Sequence, residues 1–300
     1  MLHPSLAARV DAIHAVMSRE ALHLRFTAAA VTFMQRCVAF ILRERINDMA
    51  TIDSPLLSRF RNIRIFDSTS WDIRPNLRNV LPGLGGAASL ANCKVQLCYE
   101  YRHGALSFFD IVPGKNQDKG YAAKLPEQIV MSQLHHFMAG GTLMVTNVPP
   151  EWLPPEMVRP LCMLRWQIEL LFKQLKSVLA IHKSLTGKEH RFRCELLGKL
   201  IVAILIHKIH ADINIRFWNT KRQEISMDKL YKRIQERAFI IMELLLSSLQ
   251  KAIEFFTSEL IRLLKNCRKL KQKSRLSSLQ TFDGKISSQS VKDMASCDLT

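Results

Sequence analysis

The sequence predicts an α/β protein: strands gathered in a mixed sheet, helices layered against it, and helical regions before and after. Three observations predict this. Between Arg61 and Val148, short apolar runs alternate with a period of two and are bounded by turn residues. From Arg159 to Ser184 the apolar residues recur at helical spacing instead. Before Arg45 and after Gly187 nearly every long segment also carries the helical period. The order is three strands, a helix, one strand and a long helix, an order suited to layers around one sheet.

Taken in turn, Leu6 to Arg45 is predicted to be helical in two segments, Leu6 to Met17 and a second that Thr27 can N-cap. The Asp53-Ser54-Pro55 breaker ends this region. Across Arg61 to Trp71, Ile63, Ile65 and Asp67 fall on one side of a strand and Arg64 and Phe66 on the other. Asp67 therefore finishes an apolar row, with Ser68, Thr69 and Ser70 expected as a turn. It either caps that turn or serves as a catalytic ligand at a sheet edge. No G-x-S-x-G elbow supports a serine nucleophile. The glycines of the Leu81 to Cys93 loop lack a nucleotide-binding spacing. Lys94 to Tyr101 and Ala105 to Val112 form a predicted hairpin through Arg102, His103 and Gly104, with Asp110 an ordinary strand residue. Pro113 to Gly120 is a polar loop containing Asp118. Leu125 to Met138 is predicted as a helix ended by Gly140-Gly141, Thr142 to Val148 as a strand, and Pro149 to Pro155 as a linker.

The long helix begins at Pro160, whose missing N–H suits a first turn. Leu161, Leu164, Ile168, Leu171, Leu175 and Val178 make one face, while Arg165, Glu169, Lys173 and Lys176 lie within roughly 40° of a single line. Either this is a surface helix whose i,i+4 ion pairs contribute about 0.2 to 0.5 kcal/mol each, or Glu169 is a metal-binding or acid/base carboxylate among phosphate-contacting cations. The helix alone does not decide. Beyond Gly187, Leu200 to Ile206 is an apolar run too short to span a bilayer and is expected inside a buried helix. Asp228 to Lys265 reads as paired amphipathic helices, a coiled-coil-like hairpin or a partner face. From Ser277 the tail is expected to be disordered. The resulting division is a helical region over 1–58, a core over 59–186, a helical region over 187–276 and a tail over 277–300.

Forty-three Lys+Arg against 26 Asp+Glu give a net charge of +17, which favours a polyanionic partner such as nucleic acid. Membrane-surface binding is the competing use of such charge. Arg262, Lys265, Arg268, Lys269, Lys271, Lys273 and Arg275 follow one another without an acid, either as a solvated run or as a DNA-backbone contact. The N-terminal helices likewise pack on the core or hold DNA. Seven cysteines without a C-x-x-C fit neither a zinc pattern nor a disulfide framework and point to a reducing compartment. The adjacent His135 and His136 have no cysteine near them and read as ordinary residues. The opening MLHPSLAARVDAIH lacks the apolar core of a signal peptide.

FDSTSW around Asp67, the glycine-rich segment after it, VTNVPPEWLP from Val145 and RWQIELLFKQLKS from Arg165 together resemble the DDE transposases of bacterial insertion sequences, in the branch named for insertion sequence four. The likeness covers roughly Arg61 to Leu205. It implies a ribonuclease-H-like catalytic core in which Asp67 is the first catalytic aspartate and Glu169 the acid of a helical Tyr, Arg, Glu, Lys signature. That signature falls on Arg165, Glu169 and Lys176, with Cys162 where the family pattern has tyrosine. Asp67 and Glu169 are thereby expected to be catalytic and to hold Mg²⁺, or Mn²⁺ in its place. Arg165 and Lys176, with Lys173 from the cationic stripe, are expected to contact DNA. The implied partners are transposon-end and target DNA and a second copy in a synaptic homodimer, with no membrane, on the bacterial nucleoid in the cytoplasm.

One departure accompanies the likeness. Such transposases carry a second aspartate on the fourth core strand, followed by a largely β insertion. Here 23 residues separate Asp118 from Thr142, too few for a strand, its crossover and an inserted domain. The core is therefore expected to be incomplete through internal deletion, with Asp118 a loop residue and not the missing ligand. The expected function is DNA transposition, by strand cleavage and strand transfer in intact relatives, with this copy a poor or inactive transposase. The alternatives are a metal-dependent nuclease without transposition and a non-enzymatic DNA-binding protein.

Overall fold

The computed structural model describes residues 18–43, 51–52, 54, 57–60, 63–85, 90–116, 131–135, 142–146, 149–151, 153–162, 164–184, 186–247, 262, 266–269 and 278–281. It begins with a short helix that periodicity did not single out, α1 (Arg19–Leu24), capped by the Ser18 hydroxyl, which accepts from the Ala21 N–H at 3.1 Å. Helix α2 (Ala28–Arg43) follows, with Thr27 Oγ1 accepting from the Ala30 N–H at 3.3 Å, the N-cap its sequence predicts. The expected helix from Leu6 to Met17 and the loop residue Asp118 lie outside the described residues.

Three strands, β1 (Arg64–Asp72), β2 (Asn92–Glu100) and β3 (Ala105–Pro113), form an antiparallel sheet in that order. Asp67 stands opposite Leu97, and Ser68, Thr69 and Ser70 stand opposite Gln96, Val95 and Lys94. The expected turn at Ser68 to Ser70 is therefore strand. The two-residue period simply runs on, with Ile65, Thr69 and Trp71 buried on the face that carries Asp67. A β-branched threonine and a tryptophan at period two favour a pleated, half-buried surface over a turn. Asp67 accordingly lies mid-strand rather than at a strand end.

The β2–β3 hairpin turns where expected, at 101–104. Gly104 has φ +64°, which favours glycine, and a Cβ there would come within 3.1 Å of Ala211 on the long helix behind it. Glu100, only 6% exposed, closes the turn. Its carboxylate accepts from the N–H groups of Ile63 at 3.1 Å, Arg102 at 3.3 Å and His103 at 2.8 Å. A buried charge is tolerable because backbone donors surround it.

Strands β4 (Met131–His135) and β5 (Thr142–Thr146) pair antiparallel in a separate sheet. This replaces the helix predicted for Leu125 to Met138, at least over Met131–His135, and replaces the single mixed sheet with two antiparallel ones among the described residues. Apolar residues in a short run fit either period, and a partner strand close behind decides in favour of the ladder. Only residues 136–141 separate the two strands, and a parallel pair needs a crossover of about a dozen residues or more. The chain must return antiparallel.

The predicted long helix is broken in two, α3 (Pro155–Cys162) and α4 (Arg165–Ser177). Pro160 is inside α3 and not in the first turn of the main helix, a position that Pro155 occupies for α3. A proline so close to a C-terminus ends a helix readily, and the chain restarts at Leu164, whose carbonyl accepts from Gln167 N–H at 2.8 Å. Helix α4 stops at Ser177, short of the predicted Ser184, because Ala180 turns left-handed at φ +48°. The Ile181 N–H then reaches back to the Leu175 carbonyl at 3.2 Å. Helix α3 lies against β4 and β5, and α4 lies on β1.

Helix α5 (Glu189–Lys221) runs behind the sheet, packing on α2 and β3, and α6 (Met227–Ser247) follows. Leu200, Ala203, Ile204 and Ile206 are buried, as the apolar run predicts, although Val202 and Leu205 remain exposed. Buried Lys208 on α5 donates to the Ile41 carbonyl in the last turn of α2, a cation at the negative end of that helix. Residues 266–269 dock on the α5–α6 turn, with the Ser226 N–H donating to the Cys267 carbonyl at 2.7 Å. A last turn of helix, α7 (Ser278–Thr281), buries Leu279 in the core where a disordered tail was expected. One apolar side chain in a Ser-rich context is enough to dock it. Among the described residues no helix is long and apolar enough to cross a membrane.

Candidate active site

The site is where α4 crosses β1. Ile168, Leu171, Phe172 and Leu175 are buried and hold α4 on the sheet, which leaves Glu169 half-buried and Arg165 and Lys173 exposed. The predicted face is thus formed, with Phe172 added to it. From β1, Asp67 points towards the same edge of α4. Arg165 Nη1 contacts Glu169 Oε1 at 2.7 Å and Asp67 Oδ2 at 3.6 Å, so one guanidinium nitrogen touches both carboxylates. The two contacts laid end to end keep those oxygens within about 6.3 Å of each other. Asp67 Oδ1 accepts from the Ser68 N–H at 2.8 Å, which orients the carboxylate along the strand.

Electrostatically this is a screened cluster. The side chains of Arg165, Asp67 and Glu169 are 51%, 29% and 36% exposed, so each ion pair contributes at most about 1 kcal/mol. Its importance is positional. Residues 102 apart in sequence are brought to one point by a strand and a helix that pack directly.

Lys176, two turns along α4, donates to the Ser70 carbonyl of β1 at 3.4 Å, which ties its ammonium to the same strand three residues past Asp67. Lys173 stands exposed between Glu169 and Lys176. Sequence reasoning missed the cations that gather after α4. Lys199 of α5 donates to the carbonyls of Ala180 at 2.7 Å and Lys183 at 2.9 Å, fixing the 178–184 loop. Burial lowers the Lys199 ammonium below the usual lysine value, with Glu195 acting in the opposite sense. Desolvation, then the charges of Lys183, Lys176 and Lys199, holds His182 below the usual histidine value. The positive field therefore extends past the signature helix onto this loop. No periodic signal in the sequence links Lys199 to Lys176, since only the left-handed turn at Ala180 brings their elements together.

The C-terminal cationic run behaves differently where it is described. Lys269 Nζ pairs with Glu224 at 2.7 Å, and Arg268 lies over the Phe217 ring at 5.9 Å from its centroid, while Lys265, Lys271, Lys273 and Arg275 lie outside the described residues. These two cations are structural. Six cysteines, Cys37, Cys93, Cys98, Cys162, Cys194 and Cys267, are free thiols; burial pushes Cys93 up to about 12 and Cys98 up to about 11.

Asp67 and Glu169 offer the hard oxygens that Mg²⁺ and Mn²⁺ prefer, and two carboxylates completed by water and phosphate suit one such ion. A pair of ions roughly 3.5 to 4 Å apart asks for more oxygen ligands than two side chains supply. Among the described residues no group of three or more His, Cys, Asp or Glu side chains is gathered.

A family described as "Transposase DDE domain" matches residues 121–205, a span that holds α4 and Glu169. The transposase of insertion sequence element IS231E from Bacillus thuringiensis subsp. finitimus is 25% identical, over 90% of this chain and 82% of its own length. This chain is a homologue of insertion-sequence DDE transposases. The IS231F transposase of Bacillus thuringiensis subsp. israelensis is also 25% identical, covering 79% of this chain and 75% of its own length. The IS1151 transposase of Clostridium perfringens is 32% identical over 39% of this chain and 25% of its own. Homology of this kind assigns the chain a function related to DNA transposition. The IS231E alignment extends over 394 positions, more than the 300 residues of this chain, so the transposase has residues without counterpart here. No solved structure matches the chain.

Proposed function

We propose that this chain is an internally shortened transposase of the insertion-sequence-four branch, which binds transposon-end DNA through the α4 face and is deficient in cleavage and strand transfer. The observation that carries the reading is the convergence of Asp67 and Glu169 on Arg165 Nη1, at 3.6 and 2.7 Å, in a chain with the Arg, Glu, Lys spacing. The length of the IS231E alignment supports the shortening. So do the six residues between β4 and β5, which leave no room for an inserted domain after β4. In this reading the core is ribonuclease-H-like but incomplete.

Asp67 and Glu169 would hold Mg²⁺, or Mn²⁺. When bound, such an ion acts as a Lewis acid that orients water or a hydroxyl against a phosphodiester. The chain's own contribution is placement: Lys173 and Lys176 neutralise backbone phosphates along α4, the cationic 178–184 loop extends that track, and Arg165 keeps the two carboxylates together. DNA is the partner in the cytoplasm, on the nucleoid, with a second copy when two ends are paired. Two carboxylates without the usual second aspartate fix too few oxygens to hold attacking and leaving groups in line, which is why binding outlasts chemistry.

Two measurements test this. In a salt series with duplex DNA, log K should fall linearly with log salt, by about 0.9 for each phosphate neutralised, and Lys173→Ala with Lys176→Ala should make the slope shallower. Affinity that ignores salt would remove the DNA-binding reading. Strand transfer on the element's own ends should be weak or nil; robust transfer that disappears in both Asp67→Asn and Glu169→Gln would show the site to be complete.

A further inference from the structure

We propose that Arg165 is the resting occupant of the ion position, so that its guanidinium and a divalent cation compete for the same two carboxylate oxygens. This rests on reading Asp67 and Glu169 as a metal pair. The contact geometry is specific: a single nitrogen, Nη1, reaches Glu169 Oε1 at 2.7 Å and Asp67 Oδ2 at 3.6 Å. One nitrogen is therefore within ion-pair distance of both carboxylates.

A magnesium ion binds oxygens at 2.0 to 2.1 Å, so one ion shared by both residues draws their oxygens to within about 4.2 Å. That leaves no room for Nη1 between them. In the absence of an ion, two carboxylates held this close repel, and an arginine, which keeps its charge at any physiological pH, offsets the repulsion.

Arg165 is also easy to displace. It is the first residue of α4, at the positive end of the helix dipole, and no acid occupies that first turn to hold it there. Half-exposed ion pairs retain it weakly. Its hold comes from the two carboxylates, and a cation of higher charge density takes them over. Released, the guanidinium remains one side chain's length from the site, where a backbone phosphate can accept it bidentately. Metal binding by the free protein should consequently be weak, because each ion must first evict a resident charge.

The test is Mn²⁺ titration of the full chain, read by electron paramagnetic resonance of the free ion, without DNA and without turnover. Arg165→Gln should tighten Mn²⁺ binding by about thirtyfold, the scale set by removing a unit charge some 4 Å from a divalent ion in water. Arg165→Met, similar in length and uncharged, should give the same gain, which guards against a folding defect in either variant. Adding Asp67→Asn to either should abolish the gain. Mn²⁺ affinity that Asp67→Asn abolishes but that neither Arg165 variant improves would overturn this inference and leave the metal reading intact. No Mn²⁺ binding sensitive to Asp67→Asn in any of these proteins would overturn both.

Discussion

Glu100→Ala should be among the most damaging single substitutions in this fold, although the residue is far from any chemistry. Its carboxylate is 6% exposed and is the acceptor for three backbone N–H groups, those of Ile63, Arg102 and His103 at 3.1, 3.3 and 2.8 Å. Hydrogen bonds to a charged group contribute about 1.5 to 3 kcal/mol each, and a buried donor left unsatisfied costs about 1 to 3 kcal/mol. The 3.3 Å bond is long and water can reach the half-buried turn, so the three together amount to about 3 to 5 kcal/mol. Against a total stability of roughly 5 to 15 kcal/mol that is a large fraction. Glu100→Gln keeps the volume and one acceptor oxygen and should lose about half as much. Urea unfolding of the three proteins measures this directly, as midpoint shifts at constant slope. A loss below about 1 kcal/mol for Glu100→Ala would refute the reasoning, since it would mean that the three donors find other partners without cost. The consequence reaches the site. Ile63 precedes β1, and its carbonyl accepts from the Tyr101 N–H at 2.8 Å, so Glu100 helps to seat the strand that presents Asp67.

Two further outcomes follow from the same structure. Burial depresses buried His207 to about 3, with the charge of His210 adding to the effect, and burial lowers His210 as well. A histidine kept neutral in the fold but free to protonate near pH 6.5 when unfolded contributes stability that is complete above that pH and is lost as pH falls towards 3. His207 thereby withdraws up to about 1.4 kcal/mol per pH unit across that window, so unfolding midpoints should drop steeply between pH 6.5 and 4, and less so in His207→Phe. Ala180 holds φ +48°, a conformation that costs an L-residue about 1 kcal/mol. Ala180→Gly should therefore raise the melting temperature by about 1 to 3 °C; a decrease would mean that the turn is not strained.

The parts of the fold legible in the sequence are those that local periodicity determines. The β2–β3 hairpin with its Gly104 turn, the Thr27 cap, the buried stripe of α4 and the helical mass of α5 all follow from residues within one or two turns of each other. What failed was decided by distant partners. Ser68, Thr69 and Ser70 have turn chemistry, yet nine residues of β2 pair along β1 and carry the strand through them. Met131–His135 fits a helix until β5 supplies a ladder. The break between α3 and α4 was signalled by Pro160, which read equally well as a start. At the site, the alignment of Arg165, Glu169, Lys173 and Lys176 was visible because helical spacing alone creates it. The contact of Arg165 with Asp67 was not, because it depends on how α4 crosses β1. Lys199 was invisible because the turn after α4 at Ala180, not sequence spacing, brings it to the loop.

On the proposed reading of a shortened core, the route by which the two carboxylates meet explains how such a core would retain them. Asp67 belongs to a three-stranded sheet in which β2 and β3 form a tight hairpin, and its register is set by β2, the strand it pairs with. Glu169 belongs to a helix fixed to β1 by its own buried face, Ile168, Leu171, Phe172 and Leu175. Neither placement depends on β4 or β5, which form their own sheet against α3. Loss of chain between these two units removes ligands and strands from the chemistry without disturbing the β1–α4 crossing, since loop closure costs grow only slowly with length and direct packing does the positioning. The two functions of such a protein therefore separate physically. On the proposed reading, a phosphate track along Lys173 and Lys176 would need only α4 on its sheet, whereas in-line phosphoryl chemistry would need every ligand at once, so a deletion would abolish the second before it weakened the first.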